Sequence, residues 1–416
     1  MTALPIETNL IDPDLLPDRN GPPHELFDLW RETEPVHWNP PPESYVAPGP
    51  GMDIVKGFWV LTRYADVYEV SRNQKQFSSH EGGPIIWDHD EERLALQRAG
   101  MMGMQPEQHG QIKRLVMPPF APRELQAFDP EINRLAKEIV DDIAAKGRCE
   151  FVFDVASRLP VYTFCKVMGI PEALRERVFQ LGNLAADIEN RQNQEENPQI
   201  ELFMIAHQLI EEKKASPDDS MLSRLVHGEV DGEKPNEDMI KMFFVILSIA
   251  GHETTRTTAT HFVRLMNEHP DQYELLCSDV DKYLPGAIDE VLRFSPPVIK
   301  FRRTVMEDTE IGGYKVSKGD KIYLCYPAAN RDPAVFEDPH RFSITRENAG
   351  KHLSFGTGPH VCLGARLAKQ QLQALLKEIV TRIPDIRPEG DYKMLRSIWF
   401  NAIIDMPVVF TPEKAD

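Results

Sequence analysis

The residues with most chemistry to offer form one short stretch, Ser354-Phe355-Gly356-Thr357-Gly358-Pro359-His360-Val361-Cys362-Leu363-Gly364. It sets a cysteine in a glycine-rich turn directly before a helical pattern, Ala365 to Arg382. Glycine allows positive φ and lets backbone approach a bulky flat group. A helix N-terminus aims N–H groups and the positive end of the helix dipole at the sulfur, which favours thiolate. Thiolate is what a haem iron takes as an axial ligand. A lone cysteine is more often a buried inert thiol. The intact spacing Phe-x-x-Gly-x-His-x-Cys-x-Gly argues against that here.

A second group is Ala250-Gly251-His252-Glu253-Thr254-Thr255. Gly251 removes a side chain where another group can approach a helix. The Thr254 hydroxyl can bond back to the Ala250 carbonyl and loosen the helical ladder. That opens a groove for water and dioxygen, with Glu253 beside it as a proton source. Threonine is common in this stretch (Thr255, Thr257, Thr258), so the pair is weak evidence when seen alone. A third group, Glu290-x-x-Arg293, has the spacing of an ordinary helical surface pair worth roughly 0.2–0.5 kcal/mol.

Together these segments resemble the cytochrome P450 superfamily, over about Phe58 to Phe410. The resemblance implies a mainly α fold with small β-sheets. It implies one prism-like domain over residues 1–416, with haem b between a long central helix and the Cys362 loop. It makes Cys362 the iron ligand, with Ala250, Gly251 and Gly364 also at the haem. Phe355 lies against the sulfur and His360 at a propionate. Glu253 and Thr254 become the acid–alcohol pair that feeds protons to oxygen as it is activated. Glu290, Arg293 and Arg341, the last from Asp338-Pro339-His340-Arg341-Phe342, become a buried structural group behind the haem.

Haem propionates are carboxylates and need cationic partners. The family pattern His-x-x-x-Arg falls on His109 to Lys113, so lysine replaces arginine and loses the bidentate fork. Arg114 is one residue on and points elsewhere on a helix. Arg303 fits the family's strand position. The resemblance also implies electrons from a small ferredoxin and its reductase. Docking is expected behind Cys362, where Lys113, Arg114, Arg366 and Lys369 would form a basic island. A peroxygenase would not need Glu253 and Thr254, and a haem sensor or carrier would give them no task. The pair therefore favours a monooxygenase that uses O2.

The segments that contact substrate in the family are here largely apolar: Ile85, Ile86, Trp87, Met101, Met102, Phe243, Val245, Leu247, Val298, Ile299, Ile398 and Trp399. As a set they imply an apolar pocket. Finer likeness, in Phe77 to Gly83, Gly251 to Arg256 and Asn401-Ala402-Ile403, runs to bacterial enzymes that oxidise sterol side chains, terpenoids and branched lipids.

Positioning these groups calls for long helices. Asn236 to Asn267 is the longest proline-free candidate and should cross the middle of the molecule. Ala127 to Lys146 puts Ile132, Leu135, Ile139 and Ile143 on one face. Other helices are read at His24 to Glu34, Tyr64 to Phe77, Asp154 to Met168, Glu172 to Leu181, Gln199 to Lys214 and Lys282 to Phe294. Gly57 to Thr62 reads as a strand, Ser78 to Met104 as irregular, and Phe301 to Tyr326 as a hairpin around Gly312-Gly313.

Composition narrows the rest. The 416 residues carry a net charge of −18. That argues against nucleic acid and against an anionic membrane surface, since both need a surplus of Lys and Arg. The five cysteines are scattered, with no Cys-x-x-Cys hook and no disulfide framework. Met1 to Asn20 is acidic and reads as neither signal nor transit peptide. The densest apolar run, Phe243 to Gly251, is far below the roughly 18 residues of a membrane span. A cytoplasmic protein is expected. No phosphate loop, Rossmann glycine fingerprint, flavin domain or iron–sulfur cysteine set is present, so electrons must come from a separate donor.

Overall fold

The computed structural model describes residues 4–12, 14–42, 52–186, 197–229 and 232–413. Among them, helices pack around the one at Glu237–Glu268, with small sheets to one side. That helix has 32 residues and so runs about 48 Å at 1.5 Å per residue. Asn236 caps it by accepting the Asp238 N–H, and Glu237 and Asp238 suit the positive end of its dipole. Its buried residues point all round the helix rather than along one stripe, as expected for a helix enclosed by others. No helix among the described residues is long and apolar enough to cross a membrane.

Two further helices frame the site. Ala365–Arg382 begins at Gly364 and buries Leu367, Leu372, Leu376 and Ile379. It packs on Pro122–Ala144, which starts earlier than the apolar period suggests because Pro122 serves as its first residue. Ile132, Ile139 and Ile143 are buried there, and Leu135 is half-buried. The stretch read as irregular from Ser78 to Met104 contains a helix, Glu91–Ala99, capped by Asp90. None of its residues is buried, so it leaves no apolar period in the sequence.

The main sheet has five strands in the order Val36–Asn39, Phe58–Leu61, Lys321–Cys325, Lys300–Val305, Phe77–Ser78. Lys300–Val305 and Lys321–Cys325 pair antiparallel, Arg303 opposite Ile322. A smaller hairpin, Thr309–Ile311 with Tyr314–Val316, turns at Gly312-Gly313.

The helix Val280–Phe294 holds the Glu290–Arg293 pair, fully buried, with both guanidinium–carboxylate bonds at 2.8 Å. The second arginine on Glu290, the third member of the buried group, is Arg346 and not Arg341. Arg346 Nε lies 3.3 Å from Glu290 Oε1, while the Arg341 side chain is exposed and only its carbonyl is used. The cause is a tight turn at Asp338, φ 43°, which points the Arg341 carbonyl at both Arg293 and Arg346. From this core a bonded chain reaches the Cys362 loop. Arg293 donates to the Asn330 carbonyl, the Asn330 amide donates to Ser354 Oγ, and Leu353 N–H donates to Asn330 Oδ1 at 2.7 Å. Stripping a partner from a buried carboxylate costs about 1–3 kcal/mol. Arg346→Ala should therefore lower stability by about that much in urea unfolding, while Arg341→Ala should stay within about 0.5 kcal/mol of the parent. Equal losses would contradict this arrangement.

Candidate active site

The Cys362 loop is shaped by its own backbone. Gly356 takes φ 67°, where a side chain would be strained, and its N–H bonds to the Leu353 carbonyl. Cys362 N–H donates to the Phe355 carbonyl at 2.8 Å, which closes the loop under the sulfur. Gly364 then caps the Ala365–Arg382 helix. Its N–H reaches the sulfur and, with Lys113, pulls the thiol pKa down against the larger upward push of burial. The thiol is open on one side, toward a cavity.

That cavity, of about 270 Å³, has Cys362 and Phe355 on one wall. Ala250, Gly251 and Thr254 of the central helix are on another. No protein neighbour explains the glycine at 251. A Cβ there would meet only Phe164, at 3.7 Å. The space in front of it is the cavity itself. Thr254 Oγ1 donates to the Ala250 carbonyl at 3.1 Å, as its spacing predicts.

At one end the lining turns basic. His109, Lys113, Arg303 and His360 gather there, and no Asp or Glu is in the lining. The His109 and His360 rings lie 4.3 Å apart, and Ser79 Oγ meets His360 Nε2 at 3.1 Å. Burial, then Lys113 and Arg303, hold His109 down at about 4. Burial, then Arg303, His109 and Lys113, hold His360 at about 2. Both imidazoles are therefore neutral donors at pH 7. Burial also lowers Lys113 and Arg303, with only Cys362 and Tyr326 respectively opposing it. Arg303 Nε is buried with no partner. Two cations and two neutral donors without an anion match the two carboxylates of haem. These residues, with Cys362 opposite Gly251, are the ones that would hold it. Lys113 is on the cavity wall and donates to the Pro359 carbonyl at 2.7 Å, while Arg114 is exposed. Lys113→Ala should speed haem transfer to an acceptor protein, by the ~1–3 kcal/mol of an unpaired buried carboxylate. Arg114→Ala should do much less. Equal effects would mean the wrong residue has been assigned.

Several expected residues lie elsewhere. Glu253 is fully buried but does not line the cavity. Its carboxylate pairs with Arg256 and accepts from Thr257, and Arg256 in turn donates to Asn183 at 2.9 Å. Of the expected pocket set, Met101, Met102, Phe243, Leu247 and Val298 line the cavity. Ile85, Ile86, Trp87, Ile299 and Ile398 instead pack in a separate cluster with Trp30, Phe58 and Tyr323. The Arg302 N–H and guanidinium hold the carbonyls of Pro84 and Trp87, which fastens that segment to the sheet. Val245 is core. Trp399 stacks edge-on to Phe301, and Lys300 bonds the Ile398 carbonyl beneath it. Ile299 lies before the strand Lys300–Val305 and takes no part in its two-residue alternation. Phe301 and Arg303 face the cavity, and the intervening residues face away. That period also marks Phe301 as a lining residue, and helical spacing from Phe243 to Ala250 marks Ile246. The basic island is smaller than expected. Lys113 turns into the cavity, and Lys369 pairs with Asp289 at 2.5 Å.

Residues 178–383 match the family described as Cytochrome P450. A steroid C26-monooxygenase of Mycolicibacterium smegmatis is 34% identical over 98% of this chain and 95% of its own. A linalool 8-monooxygenase of Pseudomonas putida is 30% identical over 97% and 99%. A solved Mycobacterium marinum cytochrome P450 in complex with pseudoionone superposes with a TM-score of 0.85 at 34% identity, covering 93% of this chain and 94% of that one. With the thiol, the basic cradle and the open glycine on one cavity, these likenesses establish that the chain belongs to the cytochrome P450 family and is a haem-b monooxygenase.

Proposed function

We propose that this enzyme hydroxylates an apolar molecule of terpenoid or sterol-like size, taking electrons from a small ferredoxin and its reductase. The observation that carries the substrate class is the apolar part of the cavity wall, built partly from the central helix. Met101, Met102, Phe243, Ile246, Leu247 and Val298 form it, and none of their side chains offers a hydrogen bond to a polar ligand. A polar acid would lose its hydration there without replacement. The names of two relatives, a steroid C26-monooxygenase and a linalool 8-monooxygenase, point to largely hydrocarbon substrates of this size class.

When bound, the haem supplies dioxygen activation. The chain's own residues then have separate tasks. Cys362 holds the iron, with Gly364 N–H and Lys113 favouring the anionic sulfur. His109, Lys113, Arg303 and His360 would hold the propionates. Thr254 keeps its hydroxyl on the Ala250 carbonyl and offers its lone pairs to a water in the cavity. Glu253, one step behind, replenishes the proton once its pairing with Arg256 loosens. The apolar wall excludes other water and presents a C–H bond. Electrons enter at the face behind Cys362, where Arg114 and Arg366 are exposed. We read residues 1–416 as one functional unit working in the cytoplasm.

Spectral titration tests the substrate class. Terpenes, sterols, fatty acids and aromatic acids are added to the haem-loaded protein while the haem band is followed. Terpenes or sterols should give the tightest saturable shift. Tight binding confined to aromatic acids would overturn this reading and leave the haem chemistry intact.

A further inference from the structure

Two thioethers stand in the cavity wall, and the hydroxylation does not use their chemistry. Met101 and Met102 are half-buried and line the same cavity as Ala250, Thr254 and Cys362. They belong to a single turn, Met101–Gly103, that cannot easily swing away. A Cβ on Gly103 would collide with the Gln97 carbonyl, so the turn is wedged against the preceding helix. His80 Nδ1 donates to the Gly103 carbonyl at 2.8 Å. Arg98 donates to the His80 and Glu81 carbonyls at 3.0 and 2.7 Å. These bonds, with the packing of Met101 on the core, keep the Met101–Gly103 turn at the cavity.

A thioether is an electron-rich centre that peroxide oxidises without further catalysis. A monooxygenase that consumes reduced cofactor and dioxygen without inserting oxygen releases hydrogen peroxide. In the next step the O–O bond of that peroxide breaks. One oxygen forms an S–O bond to a methionine sulfur, which loses two electrons, and the other oxygen leaves as water.

We propose that Met101 and Met102 are a peroxide-modification site, converted to sulfoxides when the enzyme turns over idle. The sulfoxide oxygen is a strong acceptor placed among Phe243, Ile246, Leu247 and Val298, whose side chains have no donor for it. Affinity for an apolar ligand therefore falls, and methionine sulfoxide reductase restores it. This consequence for affinity rests on the substrate reading above; the modification itself does not.

The haem-loaded enzyme is run without substrate, with a surrogate ferredoxin, its reductase and NADPH, until a fixed amount of NADPH is consumed. Catalase in the buffer destroys peroxide that escapes. Peptide mass spectrometry then compares Met101 and Met102 with Met204, which is 67% exposed on the Pro198–Ala215 helix and does not line the cavity. Several-fold more sulfoxide at Met101 and Met102 than at Met204 is expected. A terpenoid that shifts the haem band should then bind several-fold more weakly, except to the Met101→Leu/Met102→Leu variant, a volume-conserving change. Equal or greater oxidation at Met204, or none at Met101 and Met102 after the NADPH is spent, would overturn the proposal. The mass readout needs no substrate, so a wrong substrate class leaves it decisive. Loss of the thiolate-type haem spectrum would instead mark a failure of the haem assignment.

Discussion

Thr254→Ala should keep its haem and bind ligand normally, yet waste most of its reducing equivalents as peroxide. Of the central-helix threonines that line the cavity, Thr254, Thr255 and Thr258, Thr254 is the nearest in sequence to the open Ala250-Gly251 surface, and its hydroxyl is anchored at 3.1 Å to the Ala250 carbonyl. The proposed water donor depends on that hydroxyl. A positioned proton donor contributes typically ~10²–10⁴-fold to the step it serves. Iron ligation sits on another element, the Cys362 loop, so it survives the change. Product formed per reduced cofactor consumed is the measurement, with peroxide assayed alongside. Added peroxide should rescue product formation, because it supplies both the oxygen and its protons. A variant that turns over slowly but stays tightly coupled would show that Thr254 serves packing alone.

The placement of Glu253 sharpens this expectation. Because its carboxylate is sealed against Arg256 and Thr257, it cannot act directly on anything in the cavity as the helix stands. Thr254 alone of the pair reaches the cavity lining.

The elements that the sequence placed well are those fixed by short-range geometry. The Cys362 loop and the Ala365–Arg382 helix follow from glycines, a cap and a 3.6-residue period, all local. The central helix was likewise visible, to within a residue at each end. Most departures from the expected placement lie where distant segments decide. Ile85, Ile86 and Trp87 are apolar enough for a pocket, but Arg302, over two hundred residues later, fastens that segment to the sheet. Arg341 lies in the expected motif, yet the Asp338 turn hands its place on Glu290 to Arg346. Glu253 stands beside Thr254 in sequence and faces away from it in space, since neighbours on a helix diverge by about 100°. The helix Glu91–Ala99 was missed because it has no buried side to betray it.

The central claim is that Cys362 carries the iron as thiolate. Its sulfur is open to the cavity, while burial pushes its pKa up and Gly364 N–H and Lys113 pull it down. A thiol under that balance gives up its proton when a metal cation takes the proton's place. Of the other four cysteines, none lines the cavity. Cys165 and Cys325 are buried, with burial raising each thiol to about 12. Cys362 is the one cysteine in that lining, so no other thiol among the described residues can take its place. Alanine at 362 leaves the propionate cradle of Lys113, Arg303, His109 and His360 intact, so some haem should still bind. The decisive measurement is the absorption spectrum of the reduced protein with carbon monoxide, parent against Cys362→Ala. The parent should show the red-shifted band of a thiolate-bound haem, and the variant should lose it while retaining detectable haem. Persistence of that band in Cys362→Ala would contradict the assignment.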